Sequence, residues 1–255
     1  MTRTNEKTGF IGVGLMGRGM AKNIVEKGYP LTVIAHRNRA PVDDLVSRGA
    51  TEAKSMEELA SACSMIFLCL TGAPQVAETV AALKPGLASG TVIVDCSTSD
   101  PTVTERLAAE LAEIGVAFVD APLSRTPKEA WEGTLDCMVG TDKATFARVE
   151  PVIATWAGKI VHIGGVGDGH RMKLLNNFIS LGYAAIYSEA LAMSRKVGIP
   201  VAEFDKVIRG GRMDCGFYQT FMGYALEGNR EAHKFTLNNA YKDIRYVESM
   251  ANAAS

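Results

Sequence analysis

The segment TGFIGVGLMGRGMAKNIVEKG, residues 8–28, limits the folds open to this 255-residue chain more than any other stretch does. It passes from a short apolar run through three glycines into a helical pattern that stops at Gly28, a suitable C-terminal glycine. Gly12, Gly14 and Gly17 have the GxGxxG spacing, which carries meaning when a strand precedes it and a helix follows. There the first glycine permits a tight turn, the second lets the backbone approach a pyrophosphate, and the third permits close packing of helix on strand. The helix N-terminus adds free N–H groups and a partial positive charge. A dinucleotide is the expected ligand, with Gly12, Val13, Gly14, Leu15, Met16 and Gly17 as its pyrophosphate loop. The bland alternative is a tight turn without a ligand.

LTVIAH reads as the second strand, and further apolar runs follow at SMIFLCL, GTVIVDCST, GVAFVDAPL, TLDCMVG and KIVHIGG. Amphipathic helical stretches separate most of them as far as about residue 163. Their apolar residues are continuous rather than alternating, which predicts strands covered on both faces of a mostly parallel sheet. After GGVGDG at 164–169 the strand signals stop and helical patterns take over. The expected fold class is an α/β Rossmann domain, a mostly parallel doubly wound sheet, followed by an all-α domain. The division falls at 1–164, the NAD(P)-binding part, and 165–255, a helical part. The helical pattern runs to Ser255 without a capping signal.

Composition narrows the partners. A formal net charge of -1 gives no general attraction to nucleic acid or to an anionic membrane, and neither is expected as a partner. Cys63, Cys69, Cys96, Cys137 and Cys215 form no CxxC and are odd in number, so neither a metal site nor a disulfide framework is indicated. Four of them sit in or beside apolar runs, where a thiol acts as a small core residue. The N-terminus lacks the apolar stretch of a secretory signal, and MIFLCL is too short to span a bilayer. The expectation is a reduced, cytoplasmic setting.

The second strand bears on which dinucleotide binds. An acidic residue there would hold the ribose 2′-hydroxyl of NAD, whereas IAHRNRA offers His36, Arg37, Asn38 and Arg39. Arginines suit a 2′-phosphate, so the cofactor is NADP or NAD with NADP favoured. Loop arginines in plain solvent are the alternative.

RMKLLNNFIS, 171–180, places Lys173, Asn176 and Asn177 in an otherwise apolar helical pattern. Residues 172, 175, 179, 186, 193 and 197 mark one apolar stripe, and Leu174, Phe178, Leu181 and Tyr183 cover much of the rest, the pattern of a buried helix. Lys173, Asn177 and Ser180 project from one face, and Ala184 leaves room beside them. A lysine near a nicotinamide can stabilise charge on a carbonyl oxygen and donate its proton, or accept it in the oxidative direction. Asn177 can orient Lys173 or the substrate. Asn176 points elsewhere, toward loop backbone groups.

Together GFIGVGLMGRGMAKNI, DCST at 95–98, DAPLS at 120–124, GDGHRMKLLNN at 167–177 and YKDIRYV at 241–247 resemble the β-hydroxyacid dehydrogenase family, in that family's order and over nearly the whole chain. The resemblance implies an NAD(P)-dependent oxidoreductase that interconverts a small β-hydroxy acid and its semialdehyde or ketone. It implies Lys173 as catalytic lysine with Asn177 as its partner, Ser124 as a carboxylate ligand, and Thr98 near the nicotinamide ribose. Leu70 and Thr71, in CLTGAP, would lie beside the adenine-side ribose and phosphates. Lys242 and Asp243 would close over cofactor and substrate. The resemblance also implies that the helical part, 165–255, serves substrate binding and dimerisation. The family forms homodimers or homotetramers through its helical domain, and its members usually carry further helices after the point where this sequence ends.

Two other departures matter. Ser124, Arg125 and Thr126 stand where the family usually has S-G-G, so a guanidinium and a hydroxyl replace two glycines. Arg125 could bind a second anionic group bidentately, as in a similar branch of sulfolactaldehyde reductase type, or could face solvent. HRN at 36–38 stands in place of the family's NRT, with what looks like one extra residue before it. The competing readings are an imine reductase, a branch that usually lacks the lysine, and a non-catalytic dinucleotide-binding interaction module.

Overall fold

The computed structural model of the chain describes residues 6–232 and 234–254. Its first half alternates strand and helix: β1 (Thr8–Ile11), α1 (Gly17–Glu26), β2 (Leu31–Val33), α2 (Ala40–Ser47), β3 (Thr51–Glu52) and α3 (Met56–Ala62). The pattern continues with β4 (Met65–Leu68), α4 (Ala73–Leu83), β5 (Val92–Asp95), α5 (Pro101–Ala112) and β6 (Ala117–Asp120). Then come β7 (Leu123–Ser124), α6 (Pro127–Glu132), β8 (Leu135–Gly140), α7 (Lys143–Ile153) and β9 (Ala157–Gly164). The remainder is helical: α8 (Asp168–Lys196), α9 (Val201–Ile208), α10 (Gly216–Glu227) and α11 (Leu237–Ala253).

The strands form one sheet in the order β3-β2-β1-β4-β5-β6-β8-β7, with β9 also paired to β8. All pairings from β3 to β6 are parallel, and β8 runs antiparallel to β6 and β7 but parallel to β9. The continuous apolar runs have the expected cause. Phe10, Met65, Phe67, Val92, Val94 and Val119 pack on one face with Met20, Ile24, Leu45 and Trp156. Ile11, Ile66, Leu68, Ile93 and Phe118 pack on the other with Leu59, Val76, Val80 and Leu107. Each such large side chain contributes about 1.5–3 kcal/mol through burial. Helix α5 starts where its sequence signals, with the Asp100 carboxylate accepting from Thr102 N at 2.9 Å and Pro101 in the first turn.

The chain divides into two compact units, Met1–Lys173 with Glu248–Ser255, and Leu174–Val247. In the second, the expectation of a fully buried α8 is overturned. Leu174 is buried, but Leu175, Phe178, Ile179, Ile186 and Met193 are exposed. Apolar periodicity marks a face that can be covered; it does not supply the cover. No helix among the described residues is long and apolar enough to cross a membrane.

Candidate active site

Strand β1 hands the chain to α1 through the glycine loop. Gly12 adopts φ +95°, and a Cβ on it would lie 2.2 Å from Cys69 O and 3.1 Å from Leu70 Cδ2, which places the β4–α4 loop beside it. A Cβ on Gly17 would lie 2.1 Å from Gly12 O, so the helix meets the turn too closely for any side chain. Gly14 is different: it is exposed, and nothing lies within 4 Å of where its Cβ would be. Val13 and Met16 pack against the core, and Leu15 is 72% exposed. Met16 caps α1 without a side-chain hydrogen bond, and the first turn holds no acidic residue. An open backbone beside an unneutralised helix N-terminus fits a pyrophosphate.

At the end of β2, His36, Arg37 and Asn38 are exposed, and Asn38 Oδ1 accepts from Ala40 N at 3.2 Å. Arg39 binds both carboxylate oxygens of Glu52 (3.0 and 2.9 Å) and also Asp43. The sequence reading, which looked only at β2, missed that Glu52 on β3 brings a carboxylate here. Thr71 is exposed and Thr98 half-buried. Leu70 N donates to Ser97 Oγ at 2.9 Å, tying the β4–α4 loop to the end of β5.

Ser124 is half-buried on β7, opposite Asp136 of β8. Arg125 follows at φ +89°, a left-handed backbone that explains why glycine suits the position, and it costs an arginine about 1–2 kcal/mol. The side chain is half exposed to solvent and is also paired: its Nε is 3.0 Å from Asp136 Oδ1. Thr126 caps α6 in a capping box with Glu129, so its hydroxyl already has a structural partner. Behind this loop, the Asn23 amide donates to Gly19 O and Ala130 O, both at 2.9 Å, pinning α6 to α1.

On α8, Lys173 is half-buried and Asn177 buried. Asn177 Nδ2 donates to Asp243 Oδ2 at 2.7 Å, and Lys242 Nζ lies 2.8 Å from Asp243 Oδ1. One buried carboxylate thus joins three residues named from the sequence. Asn176 does not bond loop backbone as expected; its amide donates weakly to Asn177 Oδ1 at 3.4 Å because the helix continues through it.

The sequence reading missed a buried polar cluster at the ends of β5 and β6. Asp95, Asp120 and His170 are fully buried. Burial pushes the Asp120 carboxyl up to about 6, against the pull of the Gly167 and His170 N–H groups. Burial also raises Asp95, partly offset by His170. The signal was available: two strands of continuous apolar residues each end on an aspartate. Among the described residues no group of His, Cys, Asp and Glu could hold a metal.

Residues 7–164 match the family described as the NAD binding domain of 6-phosphogluconate dehydrogenase. Residues 167–255 match the NAD-binding family of NADP-dependent 3-hydroxyisobutyrate dehydrogenase. The chain belongs to the β-hydroxyacid dehydrogenase family. Its membership makes it an NAD(P)-dependent oxidoreductase. It is 36% identical to the 2-hydroxy-3-oxopropionate reductase of Escherichia coli (strain K12) over 214 residues, 80% of this chain and 70% of that one. It is 37% identical to the 2-(hydroxymethyl)glutarate dehydrogenase of Eubacterium barkeri over 254 residues, 89% of this chain and 83% of that one. The solved 3-hydroxyisobutyrate dehydrogenase of Mycobacterium tuberculosis shares the fold, with a TM-score of 0.88 at 24% identity over 98% of this chain and 88% of that one.

Proposed function

We propose that the chain interconverts a small anionic β-hydroxy acid and its semialdehyde or ketone, with Lys173 as the general acid/base. One observation carries this reading: on α8 the polar stripe is the sheltered one. Lys173 is half-buried and Asn177 buried, while Leu175, Phe178 and Ile179 on the same stretch are exposed. A solvated lysine would give the opposite pattern.

The bound dinucleotide supplies or takes the hydride; Gly12, Gly14 and Gly17 with the start of α1 would hold its pyrophosphate, and Thr98 its nicotinamide side. Lys173 donates a proton to the substrate oxygen as charge builds there, and the amine takes it back in the oxidative direction. Asn177, held by Asp243, orients the site, and Ser124 binds the carboxylate. Arg37 takes a 2′-phosphate, favouring NADP; the dinucleotide-bearing part is 1–164 and the helical part 165–255. Chains associate as homodimers or homotetramers through the exposed apolar side chains of α8. Five cysteines free of disulfides fit a cytoplasmic setting.

A second reading has its own observation. Arg125 is held near Ser124 at some backbone cost, with its terminal nitrogens still able to meet an anion, which favours a substrate with a second acidic group such as a sulfonate. The lysine argues against an imine reductase.

The test is Lys173→Ala, assayed by NADPH oxidation against a panel of semialdehydes. Turnover should fall by about 10²–10⁴-fold while NADPH affinity stays within about twofold. Retained turnover would refute the assignment, and no turnover by the unaltered enzyme with any aldehyde would favour a non-catalytic module.

A further inference from the structure

A helix leaves its first N–H groups without acceptors inside the helix. At the start of α8 two of these groups are taken by one side chain from far up the chain. Asp120 Oδ1 accepts from Gly167 N and Oδ2 from His170 N, both at 2.7 Å. The packing leaves no slack around this grip. A Cβ on Gly140 would lie 2.5 Å from Asp120 Oδ1 and 2.7 Å from Gly169 N. A Cβ on Gly169 would lie 2.6 Å from Met138 O and 2.9 Å from Asp120 Oδ2.

The His170 ring continues the hold. Its Nε2 donates to the Ser97 carbonyl at 3.1 Å, and its Nδ1 lies 2.8 Å from Thr104 Oγ1. The first turn of α8 is therefore fixed to the ends of β5 and β6 and to α5, with fully buried groups throughout. Lys173 stands three residues after His170, within the next turn.

We propose that Asp120 is a positioning residue for Lys173: its carboxylate fixes the register and direction of α8 at the point where the proton-donating lysine leaves the helix. This rests on the reading of Lys173 as general acid/base.

The chemistry of the grip supports the assignment. Accepting two N–H groups, one on each oxygen, suits the ionised carboxylate best: an amide turns a donor toward one of them, and a protonated carboxyl keeps only a weaker acceptor at its hydroxyl oxygen. Keeping that charge is costly, since burial pushes the group up to about 6. An apolar side chain here would leave both buried N–H groups without an acceptor, so the grip stabilises the start of α8 as well as placing it. Part of the return for the cost is placement, and a displacement of about 1 Å at a reacting group can lower a rate by about 10²-fold.

The experiment compares Asp120→Asn, Thr104→Val and Lys173→Ala with the unaltered enzyme. It reads kcat per folded protein, NADPH affinity by fluorescence titration, and the solvent deuterium isotope effect on kcat. Asp120→Asn should lose about tenfold or more in kcat, keep NADPH affinity within about threefold, and show a larger isotope effect because proton transfer has become limiting. Thr104→Val, which removes the hydroxyl at His170 Nδ1 along with its bond to Asp100 O at 3.1 Å, should lose about threefold to tenfold with the same isotope trend. A merely structural role would lower the folded fraction and leave the isotope effect alone. If Lys173→Ala keeps turnover, the catalytic reading fails and this inference with it. If Lys173→Ala is inactive and folded Asp120→Asn matches the unaltered kcat and isotope effect, the positioning role alone is overturned. Should Asp120→Asn not fold, Thr104→Val decides, and an unaltered kcat and isotope effect in it overturns the proposal.

Discussion

Asn177 Nδ2 donates to Asp243 Oδ2 at 2.7 Å, and both side chains are buried. The other oxygen of the same carboxylate lies 2.8 Å from Lys242 Nζ, whose ammonium also sits 4.8 Å from the centre of the Tyr246 ring. Asp243 therefore sets the orientation of the amide and the reach of the lysine together. Removing one member of such a buried polar group leaves the others with unmet demands.

Asp243→Ala should lower stability by about 2–4 kcal/mol and kcat/KM by about tenfold or more, read by thermal melting and steady-state kinetics. Asp243→Asn keeps an acceptor for the Asn177 amide and loses the ion pair, so it should fall between the two. Equal losses in both variants would remove the amide contact from the account.

The three glycines of the dinucleotide loop should separate by mechanism. Gly12→Ala and Gly17→Ala force a Cβ to within about 2 Å of backbone oxygens, so both should lower the melting temperature markedly. Gly14→Ala meets nothing within 4 Å in the protein. Its melting temperature without cofactor should stay within about 1–2 °C, while NADPH binding weakens by about tenfold because the new methyl occupies the approach to the pyrophosphate. Normal NADPH affinity in Gly14→Ala would move the cofactor away from this loop.

These glycines, the buried strands and the Asp100 cap were legible because each follows from local rules: the turn needs φ > 0 at Gly12, the helix packs on that turn at Gly17, a two-faced strand is apolar throughout, a cap sits just before Pro101. TPKE at 126–129 has capping-box spacing and is equally legible, and it marks the Thr126 hydroxyl as a helix cap. The grip of Asp120 on Gly167 and His170 joins residues 47 and 50 positions apart, and the pairing of Arg125 with Asp136 crosses strands; no local rule reaches either. The exposure of Phe178 and Ile186 fails differently. Periodicity found an apolar face correctly, but whether anything covers it depends on surfaces the helix itself does not encode.

A pH-dependent contribution to stability sits at the opposite end of the sheet. Arg148 Nε donates to Glu6 Oε1 at 2.7 Å, and Ser64 Oγ donates to Glu6 Oε2 at 2.6 Å. The Arg148 hydrogen bond holds the Glu6 carboxyl below its ordinary range, against desolvation, with Ser64 adding to the effect. The folded value lies below the unfolded one, so the contribution is present above about pH 4.3 and is lost as pH falls through the folded value. Glu6→Gln should cost about 1–2 kcal/mol at pH 7, shrinking toward zero near pH 3 in urea melts at both values. A difference that stays constant with pH would mean that Glu6 acts by packing rather than charge.

Arg125 poses the sharpest choice about substrate. Its backbone at φ +89° favours glycine, and its ion pair with Asp136 is half exposed and so is worth no more than about 1 kcal/mol. Relief of the backbone cost and loss of the pair therefore nearly cancel in Arg125→Gly, and the melting temperature should hold or rise slightly. Kinetics should not be neutral. If the guanidinium meets a second acidic group, the variant raises KM for a sulfonated three-carbon aldehyde by about tenfold or more and leaves KM for a simple semialdehyde within about threefold. Asp136→Asn should shift the two substrates in the same direction but less, since it frees Arg125 rather than removing it. Equal changes for both aldehydes in Arg125→Gly would show that the arginine shapes the loop without touching the substrate, and the sulfonate reading would then be lost.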